Sequence, residues 1–419
     1  MSYEINTLRS LLAYVEPAGS YALDNSGTIG DFLAVPITEG FMSSAPMRDM
    51  LDPMLSQARL DGRAERVIGK RSAAMQLAML LASHGVDMVG NETQPASTTW
   101  ALRRLLTATM GGVSLTGTEA AATTVQAGTS TSVVNVSTGH GDRWIGNRVI
   151  ACQTVSGSTA LEAREVLSVS GDAVTVKEAF SATPVTGTQV RGGVTFHPTE
   201  DPDTSLQFIA QGRETADHFL MRGMQGGFQI EAKPGQLAKI TFDLKGAATT
   251  KLSDHSGITV PSFSNWSPVA VVASELTVPT VGSTTRAWVA ASDISLTLGL
   301  AYEPVTGYSL TGETIIRMRR QRPRDGVLAR LTFTAPLEDS TWIDHRDNRT
   351  DLAAFWQIGS AGGGGWLISI PTCQVTDVRL GPSASGLSGQ IVTLEGRLDA
   401  SAAASTTELS YAALRLHAF

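Results

Sequence analysis

Residues 221–246, MRGMQGGFQIEAKPGQLAKITFDLKG, decide how this chain is read. A glycine-rich extended run ends at Lys233-Pro-Gly235, a turn signal. Ile240, Phe242 and Leu244 then alternate with Thr241, Asp243 and Lys245, the two-residue period of a strand with one buried face. The segment is therefore a strand, a tight turn and a second strand. Its surroundings are read the same way: TSLQFIAQ (204–211) and HFLMRGMQGGFQIEA (218–232) are long strands within 194–246.

The pattern extends in both directions. RVIGKRSAAMQLAMLLASHG (66–85) combines helix-favouring Ala, Leu and Met with the alternation of Met75, Leu77 and Met79. An extended partner is needed for the later strands, and the strand reading is preferred. STTWALRRLLTATMGG has Ser97 or Thr98 as N-cap, Trp100, Leu102, Leu105 and Leu106 as its apolar face, and Gly111 and Gly112 as its stop, which predicts a short helix. Between 113 and 195 Gly, Ser, Thr and Val dominate. TSVVNVS, RVIACQTV, AREVLSVS and AVTVKEAF predict short strands of a small inserted barrel or sandwich. Residues 1–66 are punctuated by Pro17, Gly27, Pro36, Gly40, Pro46 and Pro53 and are expected to be an irregular arm laid over a neighbouring subunit. Residues 251–285 are expected to be a Ser/Thr/Pro/Gly-rich connector.

The C-terminal part repeats the order. ISLTLGLAY (294–302) and GETIIRMRRQRPRDGVLARLTFTAPL (312–337) predict strands, the latter a long hairpin turning at Pro323–Gly326. NRTDLAAFWQIGSAGGGG (348–365) predicts a short helix capped by Thr350 or Asp351, with Leu352, Phe355 and Trp356 inward. WLISIPTCQVTDVRL and GQIVTLEGRLD predict two more strands. Both halves thus consist of strands, a short helix and two strands, with the insert lodged in the first half. The fold class is mainly β with short helices.

Composition excludes several functions. The formal net charge of −7 argues against a surface that binds duplex nonspecifically. Charged residues make up 17% of the chain, against roughly 25% in ordinary soluble domains, which suggests surface hidden in an oligomer. Cys152 and Cys373 stand alone, without the Cys/His companions of a zinc site or a disulfide framework. The opening MSYEINTLRS has no signal-peptide core, and no run reaches the ~18 apolar residues of a membrane span. Synthesis in a cytoplasm is expected. The histidines lack metal-site spacing. Asp344, His345 and Asp347, and the DPDTS stretch at 201–205, are incomplete as metal loops. No nucleophile elbow or phosphate loop occurs. The 359–365 glycines follow the expected helix instead of opening one, the wrong polarity for phosphate. No catalytic residue, cofactor or metal is expected.

Residues 221–246 and 370–399, IPTCQVTDVRLGPSASGLSGQIVTLEGRLD, resemble the strand–turn–strand segments of the major tail tube proteins of long-tailed, siphovirus-like bacteriophages. The insert ending ATPVTGTQV (182–190) is similar to β inserts found in that family. The resemblance implies two tube modules of sandwich or partial-barrel type with short flanking helices, 67–112 with 196–250 and 286–419. It also implies rings stacked into a virion tail tube through which double-stranded DNA passes. Two modules per chain favour a ring of three copies over one of six. The implied partners are the chain itself and the tape measure, terminator and distal tail proteins. An overall acidic wall is expected to let DNA slide. Arg317, Arg319, Arg320, Arg322 and Arg324 are the densest charges in the chain. They are assigned to a contact between rings, against acids such as those in EDSTWIDHRD (338–347), because a phosphate-binding wall would retain DNA; a solvated strand face is the other reading. The other reading is a minor tail or receptor-binding protein at the tail tip, with 113–195 as its binding head.

Overall fold

The structure is a computed structural model. It describes residues 10–16, 33–35, 39–42, 47–51, 67–83, 101–115, 123–199, 204–211, 218–233, 235–246, 248–252, 267–268, 274–299, 301–309, 312–321, 328–359, 365–382, 388–398 and 408–419. The chain begins with β1 (Ser10–Val15), β2 (Leu33–Ala34), β3 (Glu39–Met42), β4 (Met47–Leu51), β5 (Val67–Leu80), β6 (Ala82–Ser83), α1 (Ala101–Met110) and β7 (Gly111–Leu115). The insert holds β8 (Thr123–Thr124), β9 (Val133–Asn135), β10 (Val149–Cys152), β11 (Glu162–Ser170), β12 (Ala173–Val176) and β13 (Gln189–Val190). The chain returns through β14 (Val194–Pro198), β15 (Leu206–Gln211), β16 (His218–Ala232), β17 (Lys239–Gly246), β18 (Ala248–Leu252) and β19 (Ser267–Pro268). It continues through β20 (Ser274–Thr277), β21 (Trp288–Val289), β22 (Ser292–Leu298), β23 (Ala301–Ser309), β24 (Gly312–Gln321) and β25 (Ala329–Pro336). Last come α2 (Thr341–Asp347), β26 (Leu352–Ile358), β27 (Trp366–Pro382), β28 (Ser388–Gly396), α3 (Glu408–Tyr411) and β29 (Arg415–Ala418). The fold is mainly β, and most strands join one 19-stranded sheet system.

Strand pairing repeats along the chain. In the first set β1 pairs β15, β15 pairs β16, β16 pairs β17, β17 pairs β5 and β5 pairs β3. In the second set β20 pairs β26, β26 pairs β27, β27 pairs β28, β28 pairs β25 and β25 pairs β22. All these pairs are antiparallel, and α1 and α2 fall at the same point of the order. Even the strand ends correspond: Leu80 with Pro336, Ala232 with Pro382, Gly246 with Gly396. The two sets are joined by β22, which pairs Ile294–Leu298 antiparallel with Ala232–Phe228 of β16.

Alternation explains the core. On β17, Ile240, Phe242 and Leu244 are fully buried while Asp243 and Lys245 are exposed. The strand reading of 66–85 holds for β5, where Met75, Leu77 and Met79 point into the same core. Helix α1 buries Leu102, Leu105 and Leu106 and stops where Gly111 adopts φ +90°, a conformation open to glycine. Its expected cap, Ser97 or Thr98, lies outside the described residues.

Four expectations are corrected. Residues 352–358 form a strand, β26, and not a helix; every one of them is buried. A strand covered on both faces loses its two-residue alternation, and Leu352, Phe355 and Trp356 then mimic a helical face. The short helix lies just upstream, where Trp342 of α2 packs edge-on against Phe333 at 5.2 Å. The Arg-rich strand β24 does not turn back onto β25 but pairs with β23, Ser309 opposite Gly312. Both edges of β25 are occupied, by β22 and β28, so β24 has no place there. Within 1–66, where an irregular arm is expected, the described residues form the short strands β1, β2, β3 and β4, Gly40 lying inside β3; the rest of that segment lies outside the described residues. Likewise Ser274–Thr277 of the expected connector is strand β20.

The insert is narrower than 113–195. β7 and β14 pair with each other across its base, Leu115 opposite Val194, so both belong to the main sheet. Between them Val125, Val134, Trp144, Ile150, Cys152, Val166, Val174, Phe180 and Val190 form a separate core.

Candidate assembly surface

Eight strands lie side by side in the order β3, β5, β17, β16, β22, β25, β28, β27. One face packs on the core. The other is polar, and its rows cross the whole sheet. One row runs Ala78, Thr241, Gln229, Thr297, Arg330, Glu395, Gln374; the next runs Leu80, Lys239, Glu231, Ser295, Thr332, Thr393, Asp377.

The charges on this face nearly cancel. By register Lys239, Lys245, Arg330 and Arg379 stand against Glu39, Glu231, Asp243, Asp377 and Glu395. Arg330 reaches Glu395 at 2.8 Å, Arg379 reaches Asp377 at 3.0 Å, and Gln229 Nε2 donates to Glu231 Oε1 at 2.8 Å. Most charges on this face therefore stand beside an opposite charge. Exposed pairs of this kind contribute little stability, about 0–1 kcal/mol each. Their effect here is to leave no concentrated field of either sign.

Of the five expected arginines, Arg317, Arg319 and Arg320 occupy β24, in register with Val305, Glu303 and Tyr302. Arg322 and Arg324 lie outside the described residues. The β23–β24 hairpin rises between β22 and β25, next to β5 and β16. The first set has its own counterpart: β4 pairs with the leading half of β5, Met47 opposite Ser72 and Leu51 opposite Val67. That hairpin places Arg48 opposite Arg71 and carries Lys70, so the basic hairpin is itself repeated. The signal for it, KR at 70–71 entering an alternating run, is too brief to read alone. The acids expected as partners, Glu338, Asp344 and Asp347, are exposed on and just before α2.

The insert is fastened to this body by buried charge. Val149, Ala151, Leu161 and Ala163 pack on Ala353, Phe355, Leu367 and Phe419. Beside them Glu165 of β11, fully buried, receives Arg415 Nη1 at 2.7 Å and Lys177 Nζ at 2.8 Å. Ser369 Oγ donates to its other oxygen, and His417 Nε2 lies 3.6 Å away. A second group joins Arg164 to Glu162, Glu178 and Glu275; Thr277 Oγ1 donates to Glu178 at 2.7 Å. Burial would raise the Glu165 carboxyl, but Arg415 and then Lys177 hold it well below the usual range. Burial pushes His417 down despite the nearby Glu165, so the imidazole is held neutral.

These shifts predict acid sensitivity in two stages. Below about pH 6.5 the unfolded chain takes up a proton that His417 refuses, so stability falls as the pH drops toward the lowered folded value. Glu165 adds a second stage: its stabilising contribution, present in full above about pH 4.3, is lost as the pH falls through its depressed folded value. Thermal melts between about pH 8 and pH 2 should show both declines, and His417→Gln should abolish the first alone.

Among the described residues no group of three His, Cys, Asp or Glu side chains is placed to hold a metal ion, and no helix is long and apolar enough to cross a membrane. Comparison with protein-family models and with curated proteins finds no match.

Proposed function

We propose that this chain is a structural subunit that closes with copies of itself into a hollow ring, and that such rings stack into the tail tube of a long-tailed bacteriophage. The observation that carries this reading is the eight-strand sheet. It is apolar on its helix-covered side and polar with nearly balanced charges on the other, and it ends in strand edges that no strand of the same chain covers among the described residues. A sheet of this kind completes itself by closing with further copies, because closure alone removes edges.

Size favours three copies. With strands about 4.8 Å apart and tilted about 40°, twenty-four strands make a cylinder about 48 Å across, and inward side chains leave a bore of about 38 Å. Two copies would leave about 22 Å by the same geometry, too tight for a hydrated duplex. The polar face lines this bore. Its paired charges neither bind phosphates in series nor repel them collectively, which suits a conduit. The two basic hairpins project toward the neighbouring ring, where exposed acids such as Asp344 and Asp347 meet them. Within a virion tail, the tape measure protein would fill the bore and terminator and distal tail proteins would cap the ends.

Negative-stain microscopy of the purified full chain tests the reading. Rings or tubes with a central hole are expected; compact particles without a hole would overturn it and favour a receptor-binding role at the tail tip.

A further inference from the structure

The repeat inside the chain shows how one set of strands receives the next. On β16, the trailing half offers one edge to β17 and the opposite edge to β22, with Ile230 facing Leu296. Ile230 is fully buried there. On β27, the counterpart strand, the trailing half offers one edge to β28, but among the described residues no strand pairs with the other. The row Met79, Ile240, Ile230 corresponds to Ala335, Gln390, Leu380. Leu380 thus occupies the place of Ile230, and it is 75% exposed. Val378, in the place of buried Phe228, is only partly covered.

The missing neighbour has a counterpart too. β22 covers β16, and the strand equivalent to β22 is β3, which among the described residues pairs with β5 on one side and with no strand on the other. Leu296 sits beside Leu331, Leu331 corresponds to Met75, and Met75 pairs with Met42. Met42 is therefore the register equivalent of Leu296.

We infer that the Glu39–Met42 edge of one copy docks antiparallel on the trailing half of β27 in the next, with Met42 opposite Leu380. The partner is a second copy of this chain, because the surface offered is the one the chain already fills from within. The join is head to tail, with different edges on each side, so it propagates until a ring closes. This assignment rests on the ring reading for its closure but not for the pairing itself.

The test uses a Met42→Cys/Leu380→Cys double variant of the full chain and a short thiol-to-thiol cross-linker, with particles imaged in parallel. Cys152 and Cys373 are fully buried and burial pushes both thiols up, so neither competes. Expected is a covalent ladder of chains ending at the ring, while each single variant gives none. Rings that fail to cross-link would overturn the seam and leave the tube reading standing. Cross-linked pairs without rings would support the seam and sink the tube. A Leu380→Lys variant provides a second arm: an unchanged melting temperature with assembly at least about tenfold weaker is expected, since edge lysines block strand addition. Unchanged assembly would count against the seam.

Discussion

Glu165→Ala is expected to destabilise the folded chain by about 3–5 kcal/mol, the cost of stranding buried cations whose partner has been removed. Arg415 is wholly buried, and its guanidinium has Glu165 as its carboxylate partner, the Leu409 and Ser410 carbonyls satisfying further N–H groups. Loss of the carboxylate leaves that charge and Lys177 without their main compensation. The damage should spread beyond the insert, because Arg415 begins β29, which stitches β14 to β27. Denaturant unfolding followed by tryptophan fluorescence measures it. A paired Glu165→Leu/Arg415→Met replacement should recover much of the loss, because apolar groups of similar volume often replace a buried ion pair at little cost. If the single variant were as stable as the parent, buried charge would not be what fastens the insert.

Trp366→Ala is expected to cost about 3–5 kcal/mol, through lost transfer energy and the cavity left behind. The indole is fully buried and stacks on Phe196 with ring centroids 6.3 Å apart. Its Nε1 donates to the Ala82 carbonyl at 3.1 Å, tying the second set of strands to the segment after β5. The same residue begins β27, with Ile358 on one side and Ala418 on the other. Substitution by Phe keeps most of the apolar volume and loses the hydrogen bond, so a smaller loss, near 1–2 kcal/mol, should separate the two contributions. A Trp366→Ala variant melting like the parent would show that the two sets pack independently.

What could be read from residues alone follows the physics of exposure. A strand with one wet face declares itself: β17 alternates because water touches every second side chain, and Met75, Leu77 and Met79 give β5 the same period. β26 does not, because it is buried on both faces, and no local period separates it from a helix. Short strands such as β3 and β20 carry too few residues for a pattern, so they resembled arm and linker. The partner of β24 was illegible for a different reason. Adjacent strands usually form hairpins, but β25 is claimed on both sides by strands distant in sequence. The repeat was visible as an order of elements, with one helix misplaced. Its pairing, and hence the open edge at Leu380, depends on contacts between residues far apart in sequence. The Glu165 cluster was likewise hidden: Glu165, Arg415 and His417 are separated by most of the second set.

A chain of 44.1 kDa that completes its sheet with copies of itself has a mass signature. Native mass spectrometry of the purified full chain should give closed species of three chains and stacks in multiples of three, with monomer and open dimer as minor forms. A chain that stays monomeric at every concentration up to aggregation would contradict closure between copies.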